Sequence, residues 1–304
     1  MQRRYNIVDR RLAETQDSNG LLTIYINPDE AEKKYLIETL KLDEHTLQSA
    51  LDPDELSRLE FEPEHIALIF KRPKSYSHED EFLFRVASTG AFLFKDRLIL
   101  IISEDVPLTD SNQIIRISTP GFLLLKLLNR SIAHFLAHLK VISAISDSLQ
   151  DKINTAMENK SLINLFTLEK SLIYYLNSLN SNSMVLEKMK VNSGKIGFGT
   201  EELEFLDDTI IDSSQCYKQA EIYSNILASL MDARASIVSN NLNVLIKILN
   251  IITIAIMVPT FVVSAFSMNV GLPFQNHPLA FYIVMGLAVV SVLSFLMVWR
   301  RKKW

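Results

Sequence analysis

One cysteine, Cys216, stands in the 304 residues. No intrachain disulfide is available, and a reducing compartment is expected. Cys216 itself reads as a buried, inert thiol. No Ser/His/Asp set, dinucleotide fingerprint or coupled carboxylate motif occurs, so the sequence gives no ground for an enzyme. Charge is missing on a larger scale. From Ile248 to Trp299, 52 residues pass without an Asp, Glu, Lys or Arg, and no acid follows Asp232. That excludes a purely soluble protein. A formal net charge of −4 excludes a basic nucleic-acid binder. The first residues also lack an apolar core of signal-peptide length, so no cleaved signal is expected and the body is placed in the cytoplasm.

What is present is an acidic body joined to an apolar end. Arg300, Arg301, Lys302 and Lys303 close the chain before Trp304. Without those four cations, 27 Lys and Arg remain against 35 Asp and Glu, a surplus of eight acids. The apolar end holds two stretches, residues 244–266 and 279–299. Each supplies about the twenty residues needed to cross a bilayer core. Between them, residues 267–278 are rich in helix breakers. Two such helices make a hairpin with both ends on one side. The basic tail, Lys247 and Arg234 assign that side to the cytoplasm. The alternative is a hairpin buried in a soluble core.

The two stretches differ. The second is uniformly apolar and suits lipid. On the first, Asn250, Thr253, Met257, Thr260, Ser264 and Ser267 fall within about 100° of one another at 100° per residue. A polar row facing lipid is costly, so it faces other helices or water. Either it is polar glue within a bundle or it lines a path. Two spans cannot enclose a pore, so a path requires several copies. Pro259 lies within this stretch, where it serves as a pivot or as a tolerated distortion.

Upstream, residues 200–266 contain no Gly and only one Pro, Pro259. They read as one helix of about 100 Å, opened by Thr200, Glu201 and Glu202 and projecting from the bilayer as a stalk. Ile222, Ile226, Ser229, Ala233, Ser236 and Asn240 continue the 3–4 spacing with mostly small or polar residues. Residues 122–150 and 154–190 form two more helices. His134 and His138 have the i, i+4 spacing of zinc ligands, but with no third ligand apparent a helix face is the better reading. The glycines between 194 and 199 make a turn, lacking the Gly-Lys-Ser/Thr ending of a phosphate loop.

Residues 1–118 read as mixed α/β. Strands are expected at 21–26, 66–70, 82–86, 91–94 and 98–102, the last two separated by Lys95-Asp96 and the former preceded by a break at Thr89-Gly90. A helix is expected from Asn27-Pro28-Asp29-Glu30, with a cap, a first-turn proline and acids. Asp52, Asp54, Glu55, Glu60, Glu62 and Glu64 read as a solvated face, with divalent-cation binding as the other reading.

The run from Asn243 to Asn269, with Asp232 to Asn243 before it, resembles the pore helix of the CorA family of magnesium channels. The Gly-Met-Asn signature of that family stands here as Ser267-Met268-Asn269. The order of elements along the chain matches as well. The resemblance implies a homopentameric funnel. Its parts would be an α/β domain (1–118), a helical pair (119–199), a stalk running into the first transmembrane helix (200–266), an outer loop (267–278), a second transmembrane helix (279–299) and a basic tail (300–304). It further implies that Asn269 forms an outer ring meeting the hydrated ion. Thr260 and Asn243 would line the path, with Thr253 and Ser264 on the same row. Leu249 and Met257 would constrict it, Asp232 would mark the inner mouth, and Asp208 would belong to an intersubunit regulatory magnesium site.

The signature glycine is replaced by Ser267 and the outer loop has no acid, so Zn2+, Co2+ and Ni2+ stay open beside Mg2+. The expected protein is therefore a multi-pass divalent-cation channel of a bacterial-type plasma membrane, both termini cytoplasmic. Its partners would be its own copies, lipid and the transported ion, with no nucleic acid. An efflux or tension-sensing relative, and a membrane-anchored sensor or scaffold, are the alternatives.

Overall fold

A computed structural model describes residues 1–8, 11–17, 20–77, 80–105, 119–156, 159–268, 271 and 277–301. It divides into two units, Met1–Met231 and Asp232–Trp304. The first unit holds a seven-stranded sheet. Its strands are β1 (Gln2–Val8), β2 (Arg11–Glu14), β3 (Leu22–Ile26), β4 (Arg58–Phe61), β5 (Ile66–Pro73), β6 (Val86–Leu93) and β7 (Leu98–Ile102). They lie in the order β2-β1-β3-β7-β6-β5-β4. Only the central β3–β7 pair is parallel, Ile24 opposite Leu100; the other ladders are antiparallel.

Alternation along the strands sends side chains to two cores. Ile69, Phe92, Ile99 and Ile101 face one side, under α1 (Glu30–Glu38) and α2 (Glu44–Leu51). Leu68, Phe70, Leu98, Leu100 and Ile102 face the other, against α3 (Pro120–Ala156), α4 (Asn159–Val191) and the start of α6 (Thr200–Phe266). Every residue of β3 and β7 is buried, as expected of strands covered on both faces. This is the mixed α/β class expected from the sequence.

Local chemistry sets the helix ends. Asp29 caps α1 by accepting from Glu32 N at 2.8 Å, and Glu32 Oε2 accepts from Asp29 N at 3.0 Å, a closed capping box. Pro28 thus precedes the cap instead of standing in the first turn as expected. Asp43 caps α2 through Thr46 N, and that bond holds its carboxyl below the usual range. The acids expected as a solvated face are mostly so: Asp52, Asp54, Glu62 and Glu64 are exposed, while Glu55 and Glu60 pair with Arg58. A single turn, α5 (Ser193–Ile196), ends at Gly197 with φ +87.

Two expectations fail around β6. Residues 82–85 are not strand, and Thr89-Gly90 is no break but the middle of β6, opposite Ile102 and Ile101. Gly90 is there because α2 crosses the sheet too closely for a side chain. A Cβ at Gly90 would stand 2.5 Å from Ala50 Cβ. Strands β1, β2 and β4 and helix α2 were not anticipated at all.

His134 and His138 lie on α3 with ring centroids 4.4 Å apart. His138 Nδ1 meets Tyr175 Oη of α4 at 2.6 Å in the core. Burial, then the neighbouring His134, pushes the His138 imidazole down to about 4, and burial pushes the Tyr175 phenol up. The sequence read the two histidines as a helix face; His138 is buried in the contact with α4, and His134 is half-buried. Cys216 is buried against the Ile132 carbonyl, and burial pushes its thiol up to about 12.

Two outcomes follow for stability. Gly90→Ala should cost about 1–3 kcal/mol by overpacking, read as a lower midpoint in circular-dichroism melts of the detergent-solubilised protein. Ala50→Gly in the same chain should recover part of it. The unfolded His138 imidazole binds protons from about pH 6.5, the folded one only from about pH 4. The unfolded chain therefore holds more protons between those values. Stability should fall as pH drops through that window, by at most about 3 kcal/mol from this group. His138→Gln, which keeps a polar partner for Tyr175, should flatten that acid loss; an unchanged pH dependence would refute the assignment.

Candidate functional site

Helix α6 runs unbroken through Thr200–Phe266, a stretch with no Gly and with Pro259 as its one Pro. Its part beyond Met231 belongs to the second unit, together with α7 (Ala280–Arg301). Both helices contain stretches long and apolar enough to cross a membrane, and the stretch on α6 has no buried residue. The alternative of a hairpin hidden in a soluble core therefore fails. Arg300 and Arg301 close α7 in its last turn.

The residues singled out from the sequence are brought onto one side of α6. Leu249, Thr253, Met257, Thr260 and Ser264 follow each other at intervals of three or four residues, within about 100° of arc. All of them are exposed, with Leu249 at 62% and Met257 at 63%. Asp232, Asn243, Asn250 and Ser267 are exposed too. Asn269 lies outside the described residues.

Three hydroxyls along this stretch are committed as donors. Thr253 Oγ1 donates to Leu249 O at 2.9 Å, and Thr260 Oγ1 donates to Ile256 O at 2.7 Å. Ser267 Oγ donates to Ser264 O at 2.8 Å. Each hydroxyl has one proton, so a back-bonded Thr or Ser presents only lone pairs to its surroundings. Thr253 and Thr260 thus present fixed hydrogen-bond acceptors beside the apolar side chains of Leu249 and Met257. Pro259 removes the donor that would reach the Ala255 carbonyl, yet the helix continues past it. The Thr260–Ile256 bond ties the turn beside that gap.

Upstream, Ile222, Ile226, Ser229, Ala233, Ser236 and Asn240 are all exposed along α6. In the first unit, α4 adds exposed Ile163, Phe166, Ile173 and Met184. Apolar surface on this scale marks an interaction face. Asp208 is exposed near the start of α6, beside Asp207, which pairs with Lys190 at 3.0 Å. Among the described residues no three His, Cys, Asp or Glu side chains converge to hold a metal ion.

Sequence reasoning assigned nothing to Lys71 and Arg72, which turn out to be 3% and 5% exposed. The available signal was two cations continuing the apolar run 66–70 without a turn residue between.

Comparison with known proteins places this geometry. The family model described as CorA-like Mg2+ transporter protein matches residues 24–303. The cobalt/magnesium transport protein CorA of Methanocaldococcus jannaschii is 27% identical over 288 residues, covering 91% of this chain and 89% of that protein. The complete structure of the CorA magnesium transporter from the same organism superposes with a TM-score of 0.85 at 24% identity, over 100% of this chain and 98% of that one. The full-length CmaX protein shares the fold with a TM-score of 0.72 at 14% identity, over 100% and 97% of the two chains.

Proposed function

The chain belongs to the CorA-like Mg2+ transporter family, and on that premise we propose that it carries divalent cations, Mg2+ foremost, across a membrane. The path is a pore to which several copies each contribute α6. One observation carries this reading: a row of exposed polar side chains, Thr253 and Thr260 among them as acceptor-only groups, along an otherwise apolar membrane helix. A plain anchor needs no such row.

Mg2+ gives up water reluctantly. The protons of its bound waters point outward, so a hydrated ion is a cluster of hydrogen-bond donors. Acceptors without competing protons suit it. In this reading Asn269 forms the outer ring, with Ser267 and Met268 setting how it is presented. Thr260, Thr253, Ser264 and Asn243 receive the ion's waters in turn. Leu249 and Met257 form apolar constrictions that gate by dewetting, and Asp232 draws cations at the inner mouth. Ion entry needs no ATP: a 100 mV inside-negative potential supplies about 4.6 kcal/mol per divalent ion, at about 2.3 per charge. Co2+ is the second candidate ion, since the 27% identical relative is a cobalt/magnesium transport protein.

The copy number is five in this reading, as the family resemblance implies. The exposed apolar side chains of α4 and the small-residue row of α6 supply contact surface between copies. The chain would sit in the plasma membrane with residues 1–240 and the basic tail in the cytoplasm and 267–278 outside. Between copies, the surplus of acids repels. Cytoplasmic Mg2+ bridging Asp208 to a neighbouring copy would hold the assembly closed, and its loss would let the constriction wet. A ligand achieves this only by binding one state better.

Two experiments test this. In liposomes, Asn269→Ala should abolish Mg2+ flux while the pentamer, sized by native mass spectrometry, persists. Thr260→Val should reduce flux without altering assembly. Full flux in an assembled Asn269→Ala protein, or a stable monomer in lipid, would overturn the shared pore. Separately, Asp208→Ala should weaken inhibition by internal Mg2+ while leaving ion preference unchanged. Currents insensitive to internal Mg2+ from micromolar to tens of millimolar would refute the regulatory role.

A further inference from the structure

Along the charge-free stretch from Ile248 to Trp299, only two side chains titrate, His277 and Tyr282. Histidine is the residue type whose charge changes between about pH 5 and 8. His277 is exposed, and it meets the start of α7 twice. Its carbonyl accepts from Ala280 N at 3.0 Å, and its ring Nδ1 accepts from Leu279 N at 3.2 Å. The first bond of the helix itself follows, from Ile283 N to Leu279 O at 3.1 Å. Amides at the front of a helix have no partner within it, and His277 supplies acceptors to two of them.

A ring nitrogen that accepts a hydrogen bond cannot hold a proton. The Leu279 bond therefore fixes the neutral imidazole, with its proton on Nε2. Protonation turns Nδ1 into a donor facing another donor, and the bond is lost. It also sets a positive charge against the positive end of the helix dipole. No Asp or Glu follows Asp232 in the chain, so none from this loop or either membrane helix can offset that charge. The outer ends of α6 and α7 and the loop between them bring no other ionisable side chain except the Tyr282 phenol. Further copies of the chain would bring further His277 rings and still no acid.

We propose that His277 is a proton switch on the outer face. Neutral, it caps α7 and leaves the outer loop uncharged. Protonated, it releases the cap and places a cation where divalent ions must enter. Its effect on flux rests on the shared-pore reading above; the cap does not.

Two measurements on the full-length protein in lipid test this. The first is amide exchange over residues 278–284, in the wild type and in His277→Asn, whose Oδ1 can accept the same bond and does not titrate. Comparing the two chains at each pH cancels the intrinsic pH dependence of exchange. They should match at about pH 8, and the wild type should exchange at least several-fold faster at about pH 5.5. The second is Mg2+ current through protein inserted in one orientation in a planar bilayer, with the pH of the outer chamber alone varied. Current should fall by about twofold or more over the same range, and by more at low ionic strength, where the added charges are less screened. His277→Asn should abolish that fall. His277→Lys, charged throughout, should give the low current at both pH values. Equal exchange in the two chains at acid pH, a wild-type current indifferent to outer pH, or an unchanged fall in His277→Asn would overturn the proposal. A wild type that passes no Mg2+ at either pH, yet loses protection on acidification, would refute the pore reading and leave the cap standing.

Discussion

A strand at the margin of its partner must find hydrogen bonds elsewhere, and β5 meets this constraint at Lys71. β4 pairs with β5 only from Ile66 to Ile69. Two residues on, the Lys71 peptide is taken over by the Asn182 side chain of α4. Asn182 Oδ1 accepts from Lys71 N at 2.8 Å and its Nδ2 donates to Lys71 O at 2.9 Å. Ser131 of α3 donates to the same carbonyl, also at 2.9 Å. An amide thus stands in for a missing strand residue, and both long helices are referenced to one peptide group. Buried peptide groups tolerate no alternative, so the helical layer is fixed on the sheet in one register. The Lys71 side chain is held as well, by Pro53 O at 2.6 Å and Ser88 Oγ at 3.0 Å.

From that joint the order of the first unit follows. α3 and α4 hold the early part of α6 through Cys216, Ala220 and Leu227 in the shared core, and through the Ser183–Ser213 contact at 2.8 Å. The same α3 brings Arg130 and His134 over the sheet opposite Arg72. One helix therefore both completes the core and roofs a cavity, without any residue of the membrane helices taking part.

Legibility in the sequence tracked how local the physics was. The bounds of α6 were readable because only Gly and Pro could interrupt it and neither does before Pro259. β3 and β7 were readable as continuous apolar runs. β6 was misread because Gly90 looks like a turn residue in sequence, while its actual reason is Ala50 of another element. β4 and α2 carry too few apolar residues in a row to announce themselves. The polar row of α6 was legible as a helical period, and the structure adds that the hydroxyl protons of Thr253 and Thr260 are spent. The role of Asn269 rests on family resemblance, since five-fold geometry has no signature in a single chain. The burial of Lys71 and Arg72 had only a faint signal, the absence of a turn residue between them and the apolar run 66–70.

The back-bonded threonines carry a consequence for speed. A hydroxyl free to rotate would have to be ordered each time an ion passed, and that ordering costs entropy. Thr253 and Thr260 are locked by their own helix before any ion arrives. In the pore proposed here, their oxygens meet a hydrated cation with no rotor left to freeze, and none to release behind it. Such a wall neither grips a passing hydration shell nor has to recover from it. Preference among ions is then left to the ring at the mouth, and the interior can be built for throughput.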